Sequence, residues 1–172
     1  SVTPLQTLTF YNAVANNGVM VKPQFVSEIK EWNRTIKKYN TEVMNQKVCS
    51  QETILKLKAV LSNVVKKGTG AKLYSKDFSM AGKTGTAQVN YAKNGGSEKY
   101  YASSFVGYFP AENPKYSCIV VVHKPSTANN NYYGADVAGP VFKRIAQKIF
   151  TDAPSTNEIR NINRKIQKQE ND

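Results

Sequence analysis

The sequence predicts an α+β domain in which helices pack on an antiparallel sheet. Three observations carry this. Apolar residues recur at helical spacing after Thr3 and again after Ser50, the period changes to two from Phe78 onward, and a last helical stretch begins near Ala135. A chain of 172 residues with 40% hydrophobic content can bury one sizeable core, so a single domain is expected over residues 1–153.

The first helix is expected to open at Pro4, with Thr3 as its cap and Gln6 where a capping box wants Glu or Gln. Leu5, Leu8, Phe10, Val14 and Ala15 form its apolar stripe, and Asn16-Asn17-Gly18 supplies a left-handed stop. Val19 to Ile29 and Thr35 to Tyr39 read as strands of a small structural excursion, the first demoted to an edge by Pro23. Ser50 caps a second helix whose Ile54, Leu57, Leu61 and Val64 share a face. Lys66, Lys67 and Gly68 close it, with charge that suits a helix C-terminus. Gly68-Thr69-Gly70 reads as a flexible exit. Three strands follow as a meander, Ser79 to Val89, Tyr101 to Phe109 and Tyr116 to His123, separated by Asn94-Gly95-Gly96 and by Pro110 to Pro114. The final helix is expected from about Ala135 to Phe150, with Val141, Phe142, Ile145 and Ile149 on one face. Residues 154–172 are polar and charged and read as a disordered tail.

The 24 Lys and Arg against 12 Asp and Glu give a formal charge of +12. The excess is spread evenly, with 12 basic and 5 acidic side chains before residue 79 and 12 and 7 after it. A generally basic surface fits this better than a nucleic-acid stripe, and no aromatic-basic recognition signature accompanies the charge, so no nucleic acid is expected as a partner. Cys49 and Cys118 form no metal-ligand spacing with each other or with His123; buried free thiols and no metal or cofactor are expected. No run of eighteen apolar residues is present. The chain opens without Met directly at a helix start and reads as cut from something longer.

The segment Gly82-Lys83-Thr84-Gly85-Thr86-Ala87-Gln88 carries the most functional information. On an extended backbone, Thr84, Thr86 and Gln88 share one face and Lys83, Gly85 and Ala87 the other. Two hydroxyls and a neighbouring cation suit a carboxylate guest, and Gly85 leaves room for a neighbouring element or a substrate backbone. If this is an edge strand, its free amides and carbonyls can pair with an extended peptide or an amide-bearing drug.

Read whole, the chain resembles the transpeptidase domain of class B penicillin-binding proteins, the membrane-anchored enzymes that cross-link peptidoglycan. The resemblance runs through Val2-Thr3-Pro4-Leu5-Gln6, Ala15-Asn16-Asn17-Gly18, Val64-Val65, Gly68-Thr69-Gly70 and Ala81 to Gln88. It continues through Ser104 to Pro110, Asn113 to Tyr116, Tyr133-Gly134 and Ala138 to Phe142. It implies part of the penicillin-binding and serine β-lactamase-like transpeptidase fold, its C-terminal half. Lys83 would hold the substrate carboxylate and tune the serine site, Thr84 and Thr86 would donate hydroxyl hydrogens to that carboxylate, and Thr86 would lend its backbone N–H to the oxyanion hole. Gly85 would be part of the substrate-binding strand, and Gln88 would line the cleft. The partners implied are peptidoglycan stem peptides, β-lactams and proteins of the division or elongation machinery. The location implied is the extracytoplasmic, periplasmic face of the bacterial cell membrane, reached through an N-terminal anchor absent from this chain.

The family's nucleophile motif, Ser-x-x-Lys, and its Ser-x-Asn motif normally precede this part of the chain. Ser27-Glu28-Ile29-Lys30 matches the first by letters, but twelve serines and 20 lysines produce about one or two such matches by chance. Ser27 also falls in an expected strand, where a Lys three positions on cannot face it as it would on a helix. Ser155-Thr156-Asn157 matches the second but lies in the tail. Both read as decoys, so the chain alone is expected to be inactive. His123 is placed at the far end of the last strand, and in this family a lysine does the work of a base. Tyr100, Tyr101, Tyr132 and Tyr133 are open between lining the cleft and packing at strand ends. A non-catalytic β-lactam sensor and a cell-division scaffold are the alternatives from other functional classes.

Overall fold

The computed structural model describes residues 2–89, 100–127 and 131–152. Helix α1 spans Pro4–Ala15 and opens as its sequence dictates. The Thr3 N–H donates to Gln6 Oε1 at 2.9 Å while the Gln6 N–H donates to Thr3 Oγ1 at 3.2 Å, so two otherwise orphaned amides are satisfied reciprocally. Asn17 and Gly18 take positive φ, and the Gly18 N–H returns to Ala13 O at 2.7 Å. Only the C-terminal end of α1 is buried, through Ala13, Val14 and Ala15. Leu5 and Phe10, expected in its apolar stripe, are 41% and 47% exposed.

The excursion that follows holds two small antiparallel pairs, β1 (Met20–Val21) with β4 (Val43–Asn45) and β2 (Glu28–Glu31) with β3 (Arg34–Lys38). The single strand expected over Val19 to Ile29 is broken in two, since Pro23 has no N–H to give a ladder. Strand β4 has no sequence signature, since it is three residues long and exposed throughout and so carries no apolar period. The β2–β3 turn presents Trp32, which is 96% exposed at φ 53°.

Helix α2 (Gln51–Lys67) is capped by Ser50, whose Oγ accepts the Thr53 N–H at 3.2 Å. Its inward face is Ile54, Leu61 and Val65; Val64, expected there, is only half-buried. The exit is not slack. Gly68 and Gly70 both donate their N–H to Val64 O, at 3.1 and 3.0 Å, and a 3-10 turn at Ala71–Leu73 follows directly.

Strands β5 (Ala81–Val89), β6 (Tyr100–Phe109) and β7 (Tyr116–His123) form an antiparallel sheet in that order, the meander the period-two pattern predicts. Among the described residues β5 and β7 are its edges. Helix α3 (Gly134–Asp152) lies on one face. Phe142 sits 4.8 Å from Phe105 and 5.7 Å from Phe109 between ring centroids, in a core completed by Val65, Leu73, Phe78, Met80, Ala138 and Ala146. Val141 and Ile145, expected on the buried face of α3, are 43% and 37% exposed. Small residues replace them: Gly134, Ala135, Ala138, Gly139 and Ala146 let the helix lie close to its neighbours, and a Cβ on Gly139 would meet Leu73 Cδ1 at 2.7 Å. On the other face Val14, Ala15, Leu61, Ala81 and Tyr108 make a second core. Because α2 sends Leu61 into one core and Val65 into the other, it straddles the Ala81 end of β5. Cys49 and Cys118 are free and half-buried rather than fully buried.

Tyr108 is fully buried, and its hydroxyl has no hydrogen-bond partner among the described residues. Burial, with a smaller contribution from Glu112, pushes that hydroxyl up to about 12. The folded chain therefore keeps this proton to higher pH than the unfolded chain, where tyrosine ionises near about 10. The stability involved is fully present below about pH 10 and is lost as pH rises toward about 12. Tyr108→Phe removes an unpaired polar group and is expected to raise stability by about 1 kcal/mol at neutral pH. It is also expected to soften the loss above about pH 10, read as melting temperature against pH for both proteins. A less stable Phe variant would mean that the hydroxyl has a partner.

Candidate active site

Register fixes the faces of β5. Thr84 is paired with Phe105, Thr86 with Ser103 and Gln88 with Tyr101, so the two hydroxyls lie on the α3 side, on one face as alternation requires. Lys83, paired with Val106, starts from the opposite face. Its long side chain turns back, and Nζ donates to Thr84 O at 3.0 Å and to Thr84 Oγ1 at 3.3 Å. Strict alternation had separated Lys83 from the hydroxyls; four methylenes of reach reunite them. Two ammonium hydrogens are used in this way and a third is left for a guest.

Both threonine hydroxyls are supported from behind. Thr84 Oγ1 lies 3.2 Å from Thr69 Oγ1. Thr86 Oγ1 accepts the N–H of Gly134, the first residue of α3, at 3.1 Å. That amide is one of the orphan donors at a helix start, where the helix dipole is positive. Accepting it leaves the Thr86 hydrogen free to be donated, and both Lys83 and Thr86 are exposed. Gly134 must be glycine: a Cβ there would lie 2.6 Å from Gly85 O and closer still to Ser104 O. The space left at Gly85 itself is on the other face and is taken by a β6 side chain: a Cβ there would lie 2.5 Å from Ser104 Oγ. Lys72 closes the arrangement with an ion pair to Asp136 in the first turn of α3, at 2.5 Å.

Beyond Thr86 the strand reaches Gln88, half-buried opposite Tyr101. Tyr101 stacks on Tyr132 at 4.2 Å and Tyr132 on Tyr133 at 4.6 Å, so three rings form one wall beside the threonines. The buried Ser103 hydroxyl donates to Tyr132 O and anchors that wall to β6. Hydrogen bonds with Tyr133 and then Tyr101 push the Tyr132 hydroxyl up to about 12. Tyr100 is placed apart from the stack, under the Lys124 ammonium at 4.7 Å.

The decoys are not assembled. Ser27 precedes β2 and its carbonyl accepts the Tyr39 N–H, while Lys30 is paired with Glu28 at 2.8 Å on a strand. Ser155-Thr156-Asn157 and the expected tail lie outside the described residues, as does the Asn94-Gly95-Gly96 turn. His123 is exposed at the end of β7, opposite Ala102 and two strands from Ala87. Sequence reasoning gave no role to Thr69 or Gly134; the only signal for either was its place in the family-like segments.

The penicillin-binding protein transpeptidase domain family matches residues 1–147. The chain belongs to that family. Among its relatives, the peptidoglycan D,D-transpeptidase FtsI of Buchnera aphidicola is 33% identical over 148 residues, which cover 86% of this chain and 24% of that protein. The chain spans about a quarter of the length of the full-length relatives it matches. Penicillin-binding protein 3 of Mycobacterium tuberculosis superposes with a TM-score of 0.72 at 27% identity, over 88% of this chain and 35% of that one. It has also been solved with ampicillin. The transpeptidase domain of penicillin-binding protein 3 from Burkholderia pseudomallei gives a TM-score of 0.69 at 27% identity, over 89% of this chain and 43% of that domain. The transpeptidase relatives share the α+β fold, and no helix among the described residues is long and apolar enough to cross a membrane.

Proposed function

We propose that residues 1–153 are the C-terminal half of a peptidoglycan D,D-transpeptidase domain, one wall of an active site whose reactive serine is carried elsewhere in the protein. The supporting observation is the Lys83, Thr84 and Thr86 cluster on an edge strand, where an ammonium hydrogen and hydroxyl hydrogens remain available to an anion. The carboxylate of a D-Ala-D-Ala stem peptide, or of a β-lactam, binds there. The serine oxygen attacks the penultimate D-Ala carbonyl, and the Thr86 N–H stabilises the oxyanion as the carbon becomes tetrahedral. Terminal D-Ala leaves with a proton, and the acyl-serine ester is resolved by an amine from a neighbouring stem peptide. Gly85 and Gln88 line the substrate side of the strand. The protein acts on the periplasmic side of the membrane, with the division or elongation machinery as its partners.

Fluorescent penicillin tests this reading. The isolated chain is expected to stay unlabelled, whereas the intact gene product takes up one label per molecule, mapped by peptide mass to a serine outside residues 1–172. Stoichiometric labelling of a serine within the chain would overturn the division of labour. An intact protein that is labelled yet never releases D-Ala from a stem peptide would be a sensor instead.

A further inference from the structure

The turn after α2 brings a hydroxyl to the clamp that neither the motif nor the strand contains. Thr69 Oγ1 is 3.2 Å from Thr84 Oγ1, although the residues are fifteen positions apart. Its backbone is fixed on both sides by the bonds from the Gly68 and Gly70 amides to Val64 O. A Cβ on Gly68 would lie 2.8 Å from Val64 Cα, so the close return of the chain onto α2 depends on that glycine. The Thr69 backbone is therefore held by the helix end, while its exposed side chain is left to meet Thr84.

Counting protons shows what the contact does. An ammonium only donates, so Lys83 occupies one lone pair of Thr84 Oγ1. The Thr69–Thr84 bond consumes one of the two hydroxyl hydrogens and leaves the other. If Thr69 donates, Thr84 accepts twice and its own hydrogen can only turn away from both partners. If Thr84 donates, Thr69 carries the free hydrogen at the edge of the cluster. Either way the pair keeps one hydroxyl hydrogen for a guest. We propose that Thr69 is a positioning residue that fixes this hydrogen toward a carboxylate bound along β5. The inference rests on the reading of β5 as a carboxylate clamp.

The test uses the intact protein with Thr69→Val, Thr69→Ala and Thr69→Ser, and two probes, benzylpenicillin and its methyl ester. Toward the free acid, Val and Ala are expected to lower the second-order acylation rate constant about tenfold, and Ser to stay within about twofold of wild type. Toward the ester, whose carboxylate charge is gone, all four proteins are expected to react alike. Unchanged acylation of the acid in Val and Ala would overturn the role, as would equal losses on acid and ester or failure of Ser to rescue. Should Val not fold, Ala and Ser decide the matter. A wild type that acylates with acid and ester at one rate would overturn the clamp itself, a separable result seen before any variant is made.

Discussion

Lys83→Ala is expected to slow penicillin acylation of the intact protein by about 10- to 100-fold, the loss of a charge-assisted hydrogen bond to a carboxylate. The side chain is exposed and its listeners in the fold are both on Thr84, so the fold itself should be little affected. The melting temperature is therefore expected to stay close to wild type while the acylation rate constant falls. Lys83→Arg keeps the charge but replaces a compact point of charge with a planar fork, and should recover only part of the rate. A Lys83→Ala protein that acylates at the wild-type rate would remove the cation from the site.

Gly107→Ala carries the largest expected effect on the fold. Gly107 faces Gly82 across the β5–β6 pair. A methyl group there would lie 2.8 Å from Gly82 Cα and 3.0 Å from the Ala81 carbonyl carbon, and closer still to the Ala81 oxygen. These are backbone atoms, which cannot rotate aside, so β5 would have to separate from β6 directly beside Lys83. Overpacking of this kind is expected to cost about 3 kcal/mol. In a domain of this size that lowers the melting temperature by about 6 to 12 °C. Circular dichroism melts check the stability, and penicillin acylation below the transition checks whether β5 has moved. A variant that melts within about 2 °C of wild type would mean the strands can part at no cost.

What could be read from the sequence was local. Thr3 and Gln6 are three residues apart, so their capping box needs no knowledge of the rest of the chain, and helix α1 starts where it was expected. The period-two runs placed β5, β6 and β7 to within two residues, because a strand with one face on a core repeats its apolar residues every second position. Helix α3 was harder. Its apolar residues Val141 and Ile145 pointed to one face, yet the buried face is set by close approach, which selects Gly and Ala and leaves little hydrophobic signal. The clamp divides in the same way. Lys83, Thr84 and Thr86 are contiguous and visible, whereas Thr69 and Gly134 reach them only through tertiary structure. The glycines beside Thr69 suggest a flexible exit because composition cannot reveal that both amides return to Val64.

The chain's single tryptophan, Trp32, stands on the tip of the β2–β3 hairpin in nearly full contact with water. Its emission therefore starts from the environment that unfolding would give it, and a tryptophan-fluorescence melt of this chain would record almost nothing while both cores dissolved. The same indifference makes it an optical probe of its surroundings. A shift to shorter wavelength in the folded protein would signal something settling on the hairpin, with no change in the helices or the sheet beneath.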